Sequence, residues 1–205
     1  MAFNINNFKG QALPLGGARP TLFEVIVGNP LSLGEPIDQA SLAQFRFVCR
    51  SASIPPSALG TIEVPYFGRK IKLAGDRVFQ SWQVTVMNDE DFSVRSMMEK
   101  WSNALNTIET NIRRPVGELN YKSDILVRQF GKNGVGQAPI RVYKLIGAFP
   151  TVISPIDLDW NTTDQIENFS VTFEYDYWLP DLGNELNQYS GKELSSGGGT
   201  GVGGQ

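Results

Sequence analysis

Apolar and polar residues alternate through most of this chain, and the alternation predicts strands. Leu22–Val27 is the first run. Phe45–Arg50 sets Phe45, Phe47 and Cys49 against Arg46, Val48 and Arg50, a period of two. Ile54-Pro55-Pro56 then stops any ladder, because proline offers no N–H. Thr61–Tyr66 and Arg69–Leu73 follow, with Phe67-Gly68 between them suited to a tight turn. Arg77–Met87 is the longest clean alternation, with Trp82, Val84 and Val86 on one face and Gln83 and Thr85 on the other. Strands resume at Ser123–Phe130 and Ile140–Phe149. Asp164–Trp178 is the last, with Phe169, Val171, Phe173, Tyr175 and Tyr177 opposite Ser170, Thr172, Glu174 and Asp176.

One segment changes period. Val94, Met97, Met98, Trp101 and Leu105 share one helical face. Asp89, Glu90 and Asp91 precede it, where negative charge favours a helix start, and Asn88 or Asp89 is the expected N-cap. Pro115 and Gly117 close off the helical stretch. A Met and aromatic stripe at this spacing reads as core.

Seven or eight strands with one helix predict a mainly β fold. The expected form is an antiparallel β-sandwich or barrel with one flanking α-helix. Residues 1–20 read as an N-terminal arm broken by Gly and Pro, 21–180 as the β domain, and 181–205 as a flexible Gly/Ser-rich extension. A sheet of this kind has an edge problem, and donating its edges to identical neighbours is one solution.

Composition narrows the chemistry. The chain has 205 residues, a net charge of −3 and no histidine. The usual general base, zinc ligand and pH switch are therefore missing. The balance does not favour tight nucleic-acid binding, which needs a dense basic footprint. No apolar run approaches the length of a membrane helix, and no secretory signal is evident at the start. Cys49 is the only cysteine, so no intrachain disulfide forms. Arg46 and Arg50 beside it could lower its thiol pKa, although a small core hydrophobe is the plainer reading. Asp157, Asp159 and Asn161 briefly resemble a calcium loop, but Thr162 and Asn168 stand where Gly and Glu belong. The GKNGVGQ loop at 131–137 reads as a hairpin loop and not a phosphate cradle. No catalytic, metal or cofactor residues are assigned.

Several stretches together resemble one family. They are Ala18-Arg19-Pro20 with Leu22-Phe23, FVCRSASIP at 47–55, RKIKLAGDRVF at 69–79 and WQVTVMNDE at 82–90. Trp101, YKSDILVRQF at 121–130, GAFPT at 147–151, LDW at 158–160 and IENFSVTFEYDYW at 166–178 complete the set. In this order they resemble the tail tube proteins of contractile-tailed, T-even-like bacteriophages. The resemblance implies a structural subunit and no enzyme. It implies homo-hexameric rings stacked into a tube, with a tail sheath protein outside. Baseplate and tail terminator proteins stand at the ends, and DNA passes through without specific binding. It places the protein in the virion tail tube, assembled in the host cytoplasm, with no membrane and no cofactor. Residues 28–44 look longer than that family's compact hairpin, which would let them decorate a surface, and by the same resemblance residues 50–68 form the long loop that reaches the adjacent ring. Ile54, Pro55, Val64, Tyr66 and Phe67 are the inter-ring contact candidates, though Val64 and Tyr66 suit a core equally well. Gln83, Thr172, Glu174 and Asp176 are candidates for a polar lumen-facing surface, or for an outer one.

Two alternatives stay open. One is a tube-initiation, baseplate or secretion-tube ring component of the same fold. The other is a β-rich carbohydrate hydrolase using paired carboxylates, whose separation a sequence does not reveal.

Overall fold

A computed structural model describes residues 17–30, 37–113, 121–132 and 139–181. The arm up to residue 16, most of the 131–137 loop and the extension from residue 182 lie outside the described residues. Within them the order is β1 (Phe23–Val27), α1 (Gln39–Val48), β2 (Cys49–Ala52), β3 (Ala58–Tyr66), β4 (Arg69–Val78) and β5 (Trp82–Met87). Then come α2 (Ser93–Leu105), β6 (Ser123–Gln129), β7 (Arg141–Ile153), β8 (Asn168–Glu174) and β9 (Tyr177–Asp181).

Seven strands make one antiparallel sheet, in the order β1-β6-β7-β8-β5-β2 with β9 also on β7. The 13-residue β7 is the spine. Its first half pairs with β9 through Val142–Ile146, and its second half pairs with β8 through Phe149–Ile153. β8 and β9 are thus one path along β7, bent at Tyr175-Asp176. Gly147 faces the bend with φ +69°, and a Cβ there would sit 2.3 Å from Asp176 Oδ2. Only glycine meets both demands.

The core lies between the sheet and α2. Val94, Met97, Met98 and Trp101 are buried along one side of the helix. Trp101 and Trp82 close on Phe173 at 6.3 and 6.1 Å between ring centroids. The indole N–H of Trp101 donates to Tyr121 O at 3.0 Å, so the polar edge of this large ring is satisfied. Arg95 stacks its guanidinium 5.4 Å from the Phe169 ring and donates to Ser154 O.

Several expectations need correction. Phe45–Arg50 is not a strand: the helix α1 runs through Val48, and only Cys49 onward is extended. Asp38 caps this helix, accepting from the N–H of Ala40 and of Ser41, and Leu42 and Phe45 turn inward. There are therefore two helices among the described residues, and residues 39–44 belong to one of them and not to a surface loop. Arg77–Met87 breaks after Val78, since Phe79-Gln80-Ser81 turns the chain from a separate hairpin into the sheet. The last run starts at Asn168 and divides at the bend. At the second helix the N-cap position is Phe92, in the left-handed region at φ 51°. Asp89 acts one turn earlier, accepting from Ser93 N, from Ser93 Oγ at 2.7 Å and from Gln44 Nε2 at 2.8 Å. That network ties α1 to α2. Burial works against ionising Asp89, but the hydrogen bonds from Ser93 and Gln44 outweigh it and hold its carboxyl below the ordinary value.

Candidate assembly surface

Among the described residues, β3 and β4 pair only with each other, outside the seven-stranded sheet. Their turn is Phe67-Gly68, both at positive φ (43° and 78°), the type I′ geometry that matches strand twist. A ten-residue β4 at about 3.3 Å per residue makes a ribbon about 30 Å long. Register sorts its side chains into two faces. Ile62 stands opposite Leu73 and Val64 opposite Ile71, with Tyr66 next along β3. Thr61, Glu63 and Pro65 face Ala74, Lys72 and Lys70 on the other side. One face is apolar and the other is charged.

The rest of the described protein leaves the apolar face open. Ile62 is 54% exposed, Leu73 52% and Tyr66 60%. At the tip Phe67 is 90% exposed, held edge-on against Tyr66 with ring centroids 4.6 Å apart. An aromatic residue in the left-handed region with almost no contact is a strained position without a structural return inside the subunit. A contiguous uncovered apolar stripe of this size marks an interaction surface.

Two tryptophans fix the ribbon's base. Trp82 Nε1 donates to Ser53 O at 2.7 Å, and Trp178 Nε1 donates to Pro56 O at 3.0 Å. Pro55 between those carbonyls is buried. Of the five contact candidates, Ile54, Val64, Tyr66 and Phe67 are exposed, whereas Pro55 is turned into the protein and offers no contact surface. The sequence reading missed Ile62, Ile71 and Leu73, whose cross-strand pairing with the named residues follows once the turn is placed. It also missed both indole anchors, which pattern alone does not reveal.

The polar candidates lie elsewhere. Gln83 pairs with Thr172, and its amide donates to Ser170 Oγ at 3.0 Å. Glu174 follows on the same face of β8, opposite buried Phe173. Asp176 comes after the bend and is tied to Lys122 Nζ at 2.8 Å. The structure thus gathers Gln83, Thr172 and Glu174 on one face and places Asp176 in an ion pair beside it. Ser51 and Thr85 extend this face across β2 and β5. It is lined mostly by neutral hydroxyl and amide groups.

The chemical candidates separate in the same way. Burial pushes the Cys49 thiol up to about 12, against the lowering that Arg46 and Arg50 suggested. Asp159 accepts from the backbone N–H and side-chain amide of Asn161, a local turn. No group of three His, Cys, Asp or Glu gathers among the described residues. No helix among them is long and apolar enough to cross a membrane.

A bent antiparallel sheet, a helix packed on its core face and a detached amphipathic ribbon define a tube-like β-scaffold subunit. The chain belongs to the phage tail tube protein family, whose model matches residues 18–180. It is 32% identical to tail tube protein gp19 of Enterobacteria phage T4 over 161 residues, which is 78% of this chain and 90% of that one. Tail tube protein of Serratia phage KSP90 is 27% identical over 175 residues, covering 83% of this chain and 93% of its own length. In fold, the chain is similar to the sheath/tube terminator of an extracellular contractile injection system. The TM-score there is 0.56 at 19% identity, with 80% of this chain and 96% of that one covered. The chain is a structural tail tube protein of a contractile phage tail, a component of the virion.

Proposed function

We propose that copies of this subunit form hexameric rings that stack into a hollow tube, through which DNA passes without specific binding. The observation that carries the reading is the uncovered apolar face of the β3–β4 ribbon. An isolated two-stranded ribbon is marginally stable in water, so an ordered ribbon detached from the sheet gains from a partner surface. Ile54, Val64, Tyr66 and Phe67 make the contact with the next ring, joined by Ile62, Ile71 and Leu73, and Pro55 anchors the base. Among the described residues β1 and β2 end the sheet with one unpaired edge each, which suits strand-to-strand closure around a ring. The face of Gln83, Thr172 and Glu174 lines the channel, where short neutral groups and a few carboxylates give DNA little to hold. A sheath protein outside, a baseplate at one end and a terminator at the other are the partners of such a tube. Assembly takes place in the host cytoplasm, and the subunit performs no catalysis.

Negative-stain electron microscopy of purified protein, with and without a baseplate seed, tests the reading. Long hollow filaments with sixfold end views are expected. Isolated rings that never stack would favour a cap or initiation component instead. A compact single particle at every concentration would end the tube reading, and turnover of cell-wall glycan lost on changing one Asp or Glu would end the non-catalytic one.

A further inference from the structure

The described chain ends on the last residue of β9, Asp181, and the family match ends at residue 180. The residues beyond, LGNELNQY at 182–189, carry Glu185 among Leu182, Leu186 and Tyr189. The end of β9 fixes what they can reach. Asp181 pairs with Val142, Val142 with Arg128, and Arg128 with Glu24, so these positions form one row across β9, β7, β6 and β1. Alternation sets Val142, Arg128 and Glu24 on the face opposite the buried Val25, Val127 and Leu145.

On that face a cleft of about 470 Å³ opens between the sheet end and α1. Leu22, Phe47, Phe130 and Pro139 supply apolar walls, and Arg46 and Arg128 stand at its side. Arg46 is paired with Glu24. Arg128 has no ion pair among the described residues. Phe47 is 75% exposed on a helix whose other aromatic, Phe45, is fully buried.

We propose that this chain's own residues 182–189 cross the row and fill the cleft, with Glu185 on Arg128 and with Leu186 and Tyr189 against Phe47 and Phe130. The reach fits. Two strand spacings separate β9 from β6, about 10 Å, and three separate it from β1, about 14 Å. An extended chain covers about 3.3 Å per residue, so Glu185 reaches Arg128 and Leu186 reaches the cleft without slack. The charge fits as well. The N-terminal arm carries Lys9 and Arg19, of the same sign as Arg128, and the ribbon of a second copy is net basic, with Arg69, Lys70, Lys72 and Arg77 against Glu63 and Asp76. The segment after β9 brings a carboxylate, Glu185, between Leu182 and Leu186.

Cysteine pairing tests this in the full chain. Cys49→Ser, Phe47→Cys and Leu186→Cys are combined and oxidised mildly at low protein concentration. An intrachain crosslink should form, seen as a faster-running monomer on a non-reducing gel. It should form at least about tenfold faster than in a control that joins Leu186→Cys with Val152→Cys on another face. Adding Arg128→Glu should slow it, and adding Glu185→Arg to that variant should restore it. A rate equal to the control, or no response to the charge reversal, overturns the proposal. Covalent dimers alone would also overturn it, because the cleft would then hold a second copy. Leu186→Ser with Tyr189→Ser gives an independent reading. Amide exchange at Phe47 and Phe130 should rise severalfold while the core strands stay protected, and unchanged exchange refutes the docking.

Discussion

Removing apolar surface from the ribbon should weaken assembly and leave the subunit's own stability nearly intact. Ile62→Ser with Leu73→Ser is the sharpest form of this test, because the two side chains face each other across the strands. Fully burying a side chain of this size contributes about 2–3 kcal/mol. Each is a little over half exposed in the free subunit, so about half of that remains to be gained on contact. The pair therefore supplies about 2–3 kcal/mol per ribbon to the interface, which corresponds to a rise in critical concentration of roughly 30- to 150-fold. Neither side chain belongs to the core, and the thermal midpoint of the unassembled subunit should stay within a few degrees.

The assay is direct. Assembly is followed by pelleting or light scattering across a concentration series, and melting by circular dichroism on the soluble fraction. A variant that assembles at the wild-type concentration would refute the ribbon as an interface. A variant that melts far below wild type would show that the two side chains serve the subunit's own fold.

Four further outcomes follow from local geometry. Trp178→Phe keeps the ring contact with Tyr143 but loses the bond to Pro56 O, so the ribbon's base should loosen by about 1 kcal/mol, read as faster proteolysis within residues 58–78. Gly147→Ala puts a Cβ at positive φ against Asp176, and should cost about 2 kcal/mol or more in urea unfolding. Met98→Ala empties a fully buried site and should cost about 2–5 kcal/mol by the same measurement. Asp89 has a folded pKa below its ordinary 3.8, so its contribution is present above that value and fades as pH falls through the folded one; Asp89→Asn should flatten this part of the acid unfolding curve.

Much of the fold can be read from the pattern because the pattern and the burial coincide. Trp82, Val84 and Val86, and Phe169, Val171 and Phe173, alternate in sequence and are buried in register. The helical face of Val94, Met97, Met98 and Trp101 is equally plain. The first helix was hidden because six residues, Phe45–Arg50, satisfy a period of two by chance, and short windows do not arbitrate. Asp38, three residues ahead of Ser41 and with no Gly or Pro up to Val48, was the available signal for a helix start. The assembly surface was half visible. Ile62, Val64 and Tyr66 alternate as a buried strand would, and nothing in that pattern says which partner covers them. Their detachment from the sheet depends on the turn at Phe79-Gln80-Ser81 and on two indole bonds from distant strands, which are tertiary facts.

The ribbon's two faces explain why such a surface is tolerable in a free subunit. Lys70 and Lys72 flank Glu63 on the charged face, and Lys70 Nζ meets Glu63 at 2.7 Å. Charged side chains along an exposed edge discourage indiscriminate pairing. Residues 58–78 hold four basic and two acidic residues, so a chain of net −3 is −5 outside the ribbon. In the proposed tube, a basic ribbon on an acidic body would be drawn to the body of another copy and not to a second ribbon. Charge thus selects the approach, and the apolar face supplies the affinity once water is excluded. Both features favour the same occupant, a neighbouring copy, and both would be lost if the ribbon folded back on its own subunit.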